Sequence, residues 1–164
     1  MDNKLIYTLG TAAVTGILCG LWGGYAGAIG LVAWAGFAST TAYFATGMRY
    51  LSGFFMTIIT TMFGVAFAWL MLQGAAVLGG SNAAYALAVG IFVTCIVLMG
   101  QIKWTGYVPG IFVGTYSLFA MPDNNVPLLV LSLLAGAILG LACDWLGKAL
   151  FAKYAPTVSE KATA

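Results

Sequence analysis

The chain is almost entirely apolar, interrupted at short intervals by glycine, asparagine or a lone basic residue. Apolar runs cover 5–22, 29–45, 51–72, 83–102, 107–120 and 126–151. Between them stand Gly23-Gly24, Thr46-Gly47, Gly79-Gly80-Ser81-Asn82, Lys103-Trp104 and Pro122-Asp123-Asn124-Asn125. No Asp, Glu, Lys or Arg occurs between Lys4 and Arg49, or between Arg49 and Lys103. A hydrocarbon core about 30 Å thick takes roughly 20 such residues per helical crossing. A β-barrel would alternate apolar and polar residues with period two, whereas these runs are apolar on every face. The pattern predicts an all-α, polytopic membrane helix bundle of about six transmembrane segments. The fifth run, about 14 residues, would form a helix of roughly 21 Å, and the second is also short, so both are expected as partial or broken spans.

Composition agrees: charged residues are 6% and apolar residues 62% of the chain, against roughly 25% and 45–50% in a soluble domain. With 164 residues, residues 1–152 are expected as a single transmembrane domain and 153–164 as a polar cytoplasmic tail. Leu5 to Leu21 followed by Ala26-Gly27-Ala28 has the outline of a signal peptide, but further spans follow at once, so this run reads as the first helix.

Charge then orients the chain, because basic residues concentrate in cytoplasmic loops. Six crossings with cytoplasmic N- and C-termini put Lys4, Arg49, Lys103, Lys148, Lys153 and Lys161 all on the cytoplasmic side. The three outer links carry no Lys or Arg, and five or seven crossings would scatter the basic residues.

A weak internal repeat lies inside this frame. At a spacing of 75 residues, Phe37-Ala38-Ser39-Thr40-Thr41-Ala42-Tyr43-Phe44-Ala45 overlies Phe112-Val113-Gly114-Thr115-Tyr116-Ser117-Leu118-Phe119-Ala120, matching both Phe positions, one Thr and the final Ala. Three-helix units in tandem insert with opposite orientation, a plan of transport proteins with a site near the midplane. The expected repeats are 5–73 and 83–151, an inverted three-plus-three arrangement with the second and fifth segments short or broken.

Glycines recur at helical spacing in Gly16, Gly20 and Gly24, in Gly106, Gly110 and Gly114, and in Gly136 and Gly140. Each set would line one helix face and let another backbone come close, within the chain or between subunits of a homo-oligomer. Pro109, inside the fifth run, is expected to kink or interrupt it.

Histidine is absent, and Cys19, Cys95 and Cys143 stand singly, so neither a metal site nor a cofactor is expected. No phosphate loop, dinucleotide fingerprint or nucleophile elbow occurs, and neither enzymatic activity nor a nucleic-acid partner is expected. Asp144, one turn before Lys148, reads as an interfacial ion pair, its rival being a proton or cation site. What remains polar at membrane depth is hydroxyl: Ser39, Thr40 and Thr41; Thr57, Thr60 and Thr61; Thr115, Tyr116 and Ser117. These could line a path past Pro109, with Phe37, Phe44, Phe112 and Phe119 as constrictions. The alternative is that the hydroxyls bond their own backbone and the rings face lipid. Tyr7, Trp22, Tyr25, Trp104, Tyr107 and Trp145 read as interfacial anchors in the bilayer.

Gly20-Leu21-Trp22-Gly23, Trp34-Ala35-Gly36-Phe37 with Thr41-Ala42-Tyr43-Phe44-Ala45, and Val108-Pro109-Gly110 with Phe112 and Gly114 carry a resemblance over nearly the whole chain. The chain resembles the YcdZ-like small bacterial inner-membrane proteins, a family of unknown function. The resemblance implies a bacterial inner membrane and assigns no site residue. The functional expectation is a channel or facilitator for a small neutral or weakly acidic, polar solute. An ion-coupled carrier hinged at Pro109 and a non-transporting scaffold stand as rivals.

Overall fold

A computed structural model describes residues 3–155. They form six α-helices, α1 (Asn3–Tyr25), α2 (Ala33–Ala45), α3 (Tyr50–Val77), α4 (Asn82–Met99), α5 (Val108–Phe119) and α6 (Val126–Phe151). Short 3-10 turns lie at Gly27–Ile29, Pro122–Asn124 and Ala152–Tyr154. Four of the helices, α1, α3, α4 and α6, are long and apolar enough to cross a membrane. With 13 and 12 residues, α2 and α5 are about 20 and 18 Å long. All six expected segments are helical, but only four are clear spans among the described residues. Of the expected polar tail, residues 156–164, including Lys161, lie outside the described residues.

Local chemistry sets the helix ends. The turn before α4 needs positive φ at Gly79 (92°) and Gly80 (67°), conformations open to residues without a Cβ. Ser81 Oγ then caps α4 by accepting from the Ala84 N–H at 3.2 Å, and Asn125 Oδ1 caps α6 through the Leu128 N–H. Pro109 sits in the first turn of α5, not in its middle. There its missing N–H would have had no helical partner in any case, so the expected kink does not form and α5 is uninterrupted.

The short helices each pack along a long one from the other end of the chain. Parallel to α6 runs α2, with Val32 beside Ser132, Gly36 on Gly136 and Tyr43 on Gly140. Parallel to α3 runs α5, with Gly110 on Thr60 and Gly114 on Thr61 and Gly64. A Cβ at Gly136 would run into the Gly36 carbonyl, and one at Gly64 into the Ile111 carbonyl, so these crossings exist only because both helices are bare there. Antiparallel to α6 lies α1, with Gly10 under Phe151 and Thr11 beside Gly147. Antiparallel to α3 lies α4, through Gly74 near Ala88 and the Phe67–Phe92 ring pair. A core of Ala35, Val65, Ala68, Leu118, Leu129 and Leu133 joins α2, α3, α5 and α6.

The expected glycine faces divide. Gly110, Gly114, Gly136 and Gly140 make close approaches within the chain. Gly16, Gly20 and Gly24 face open space, so α1 does not use them for packing inside the bundle, and Gly106 lies in the link before α5. This topology gathers the start of α1, the α2–α3 link, the α4–α5 link and the end of α6 at one end of the bundle. Lys4, Arg49, Lys103, Lys148 and Lys153 therefore share that basic end.

Candidate functional site

The buried, half-buried and exposed positions of residues 32–45 recur in the same order in 107–120, at the 75-residue spacing. On α2 the outward face is Phe37, Thr41 and Phe44, and on α5 it is Phe112, Tyr116 and Phe119. The inward faces carry Ser39 with Thr40, and Thr115 with Ser117. The residues expected along one path thus lie on opposite sides of their helices, and the Phe rings close off nothing within this chain. Pro109 is exposed at the start of α5.

Most inward hydroxyls are occupied. Thr40 Oγ1 donates toward the carbonyls of Gly36 (3.0 Å) and Gly136 (2.8 Å), and Thr115 Oγ1 toward those of Ile111 (2.9 Å) and Gly64 (3.2 Å). Thr57, Thr60 and Thr61 donate to carbonyls one turn back. Ser39 and Ser117 differ: both are fully buried and their Oγ atoms have no partner. A buried hydroxyl without a partner costs about 1–3 kcal/mol, which makes these two groups the polar surplus of the core.

The densest polar cluster is at the basic end. Asp144 Oδ1 accepts from Arg49 Nη1 at 2.7 Å and pairs with Lys148 Nζ at 3.2 Å. Its Oδ2 accepts from Tyr43 Oη at 3.0 Å and from the Tyr50 N–H at 3.2 Å. One carboxylate thereby ties α6 to the end of α2 and the start of α3. Its side chain is 2% exposed, against 63% for Arg49 and 22% for Lys148. Burying a carboxylate costs several kcal/mol unless donors surround it, and four donors do so here. The link bends sharply to deliver them, with positive φ at Gly47 (68°) and Tyr50 (53°); a bulky residue such as Tyr50 adopts that conformation only when its surroundings impose it. Two cations per carboxylate leave the cluster positive.

Beside the cluster lies an open-sided cavity of about 620 Å³ along α1, lined by Thr8, Thr11 and Thr15, by Arg49, Asp144 and Lys148 and by the apolar Ala12 and Phe44, and extending to Gly16 and Cys143. The three threonines give their protons to backbone carbonyls of their own helix, so toward the cavity they offer lone pairs. Arg49 and Lys148 offer charged donors. A smaller recess of about 140 Å³ lies between Tyr43, Met48 and Arg49. Among the described residues no three His, Cys, Asp or Glu come together to hold a metal ion.

Residues 12–148 match the family described as "Protein of unknown function (DUF1097)". The inner membrane protein YcdZ of Escherichia coli K12 is 34% identical over 149 residues, 91% of each chain. The chain belongs to the YcdZ family. The inner membrane protein YcdZ of Salmonella typhimurium LT2 is 32% identical over 134 residues, 82% of this chain and 83% of the relative. No solved structure matches. Membership in the YcdZ family makes this a small, multi-pass protein of the bacterial inner membrane.

For this YcdZ-family chain, sequence reasoning paired Asp144 with Lys148 but missed Arg49, Tyr43 and Tyr50, which reach it from 94 to 101 residues away. It also missed Thr8, Thr11 and Thr15, whose spacing on one face of α1 was the available signal.

Proposed function

We propose that the chain is a facilitator for a small neutral or weakly acidic solute, built from two inverted three-helix units and working as a homo-oligomer with both termini in the cytoplasm. The observation that carries the transport reading is the cavity beside α1, which starts at Arg49 and Lys148 and reaches Gly16, midway along that helix. Its positive mouth attracts weak acids as anions, and its threonine oxygens accept hydrogen bonds from a neutral solute. Deeper in the bundle, Ser39 and Ser117 keep unpartnered hydroxyls, fully buried and outside that cavity, which a solute would meet only if the helices part.

The inverted repeat, residues 5–73 and 83–151, is supported by matched partners. Thr40 on the Gly136 carbonyl is answered by Thr115 on the Gly64 carbonyl. Every buried position of α3 from Thr57 to Ala75 has a buried counterpart 72 residues on, in α6. Basic residues at one end favour cytoplasmic termini. Asp144, held by two cations and a tyrosine, is poorly suited to coupling transport to an ion gradient. A second reading, a scaffold subunit, is favoured by the open Gly16, Gly20 and Gly24 face of α1.

The test is stopped-flow light scattering on proteoliposomes with urea, glycerol, formate, acetate and ammonium, comparing wild type with the Ser39→Ala/Ser117→Ala double variant. Because neither hydroxyl has a partner, removing both leaves the fold intact. Accelerated flux of one solute, reduced in the variant, supports the facilitator. No acceleration with folded, inserted protein moves the weight to the scaffold.

A further inference from the structure

Next to the polar cavity, with Tyr7 and Lys148 between the two, lies a groove of about 900 Å³, walled by Leu51, Ile138, Leu141, Ala142 and Trp145, with Lys148 at its polar end. Ile138, Leu141, Ala142 and Trp145 follow one another at helical spacing, forming a face of α6 that no other helix covers, and Ala142 leaves it deep. From Ile138, near mid-helix, to Lys148 the groove rises about 15 Å, which is half of a hydrocarbon core about 30 Å thick and so the depth of one leaflet. At the rim the Lys148 ammonium has Asp144 on one side and lies 4.3 Å from the Tyr50 ring centroid on another. Arg49 shares the same carboxylate, so the rim keeps a positive charge that Asp144 does not cancel. An apolar slot one leaflet deep that ends at an excess cation is complementary in length and charge to one ligand class.

We propose that this groove holds an acyl chain of an anionic phospholipid, with the headgroup phosphate at Lys148. Lys148 donates to the phosphate, and Trp145 and Tyr50 sit at the depth where ring and headgroup meet. The bound lipid fills the space between α3, α6 and Tyr7 of α1 at the basic end, and its phosphate shares Lys148 with the polar cavity. The inference does not depend on transport.

Native mass spectrometry of protein extracted from membranes of phosphatidylglycerol and phosphatidylethanolamine tests it. Wild type is expected to retain phosphatidylglycerol in excess of its share of the membrane. Lys148→Gln, which keeps a donor for Asp144, should lower that preference about fivefold, the worth of one basic residue at a charged headgroup. Ala142→Phe, which fills the slot and leaves the cation in place, should abolish retention of both lipids while circular dichroism stays unchanged. Retention in membrane proportions, unaffected by Lys148→Gln, overturns the proposal. So does a lipid-free wild-type oligomer that Ala142→Phe splits, because a second copy would then cover the groove.

Discussion

Thr40 and Thr115, 75 residues apart, follow one pattern: each hydroxyl's single proton is shared between a carbonyl one turn back and the carbonyl of a mid-helix glycine on the neighbouring long helix. The glycines are Gly136 and Gly64, and each gives up its side chain to let the short helix in.

Thr40→Val and Thr115→Val each remove one interhelical bond and keep the shape. Both are expected to lower stability by a similar, small amount, about 0.6 kcal/mol for such bonds in membranes. Unfolding by SDS titration in mixed micelles reads the difference, and a large inequality between the two variants would argue against equivalent crossings.

Gly64→Ala and Gly136→Ala place a methyl on backbone carbonyls. Overpacking of this kind costs about 1–3 kcal/mol, more than the helix propensity gained. Gly20→Ala meets nothing within 4 Å and is expected to leave the melting temperature in detergent unchanged or slightly raised.

Asp144→Ala strips four donors of their acceptor at once. A loss of about 2–6 kcal/mol is expected, because the Tyr43 hydroxyl and the Tyr50 N–H lose their acceptor at about 1–3 kcal/mol each, while the largely exposed Arg49 cation turns to water. Arg49→Ala takes one donor from a carboxylate that is 2% exposed and should cost less, about 1.5–3 kcal/mol, the worth of a hydrogen bond to a charged group. Thermal unfolding of the two variants side by side checks the order.

Orientation is open to single-cysteine labelling in a variant lacking Cys19, Cys95 and Cys143. With cytoplasmic termini, Leu78→Cys, exposed at the end of α3, reacts with an impermeant thiol reagent on intact cells, and Gln101→Cys, at the basic end, reacts only after lysis.

The helices were legible because apolar run length is a local property that the bilayer fixes. Gly110 and Gly136 were legible because close packing demands small residues at helical spacing. Gly16, Gly20 and Gly24 share that spacing and face open space, since spacing marks a face without naming what lies against it. Pro109 misled because it lies two residues into its run, in the first turn of α5, where a helix needs no N–H. Of the hydroxyl rows, Thr41 and Tyr116 face outward, and the split of the inward ones into carbonyl-bonded threonines and two unpartnered serines depends on which neighbour lies in reach. Arg49 and Asp144 meet across 95 residues, a distance that no window along the chain spans.

The register of the short helices sets how far each reaches along its long partner. Along α6, the stretch beside α2 runs from Ser132 to Asp144, and along α3, the stretch beside α5 starts at Thr60. The short helices therefore stop before the ends of their long partners on either side. At 13 and 12 residues they are about 18–20 Å long, against roughly 30 Å for a hydrocarbon core. Lipid against their exposed faces, at Phe37, Phe44, Phe112 and Phe119, has to thin or tilt to match that length.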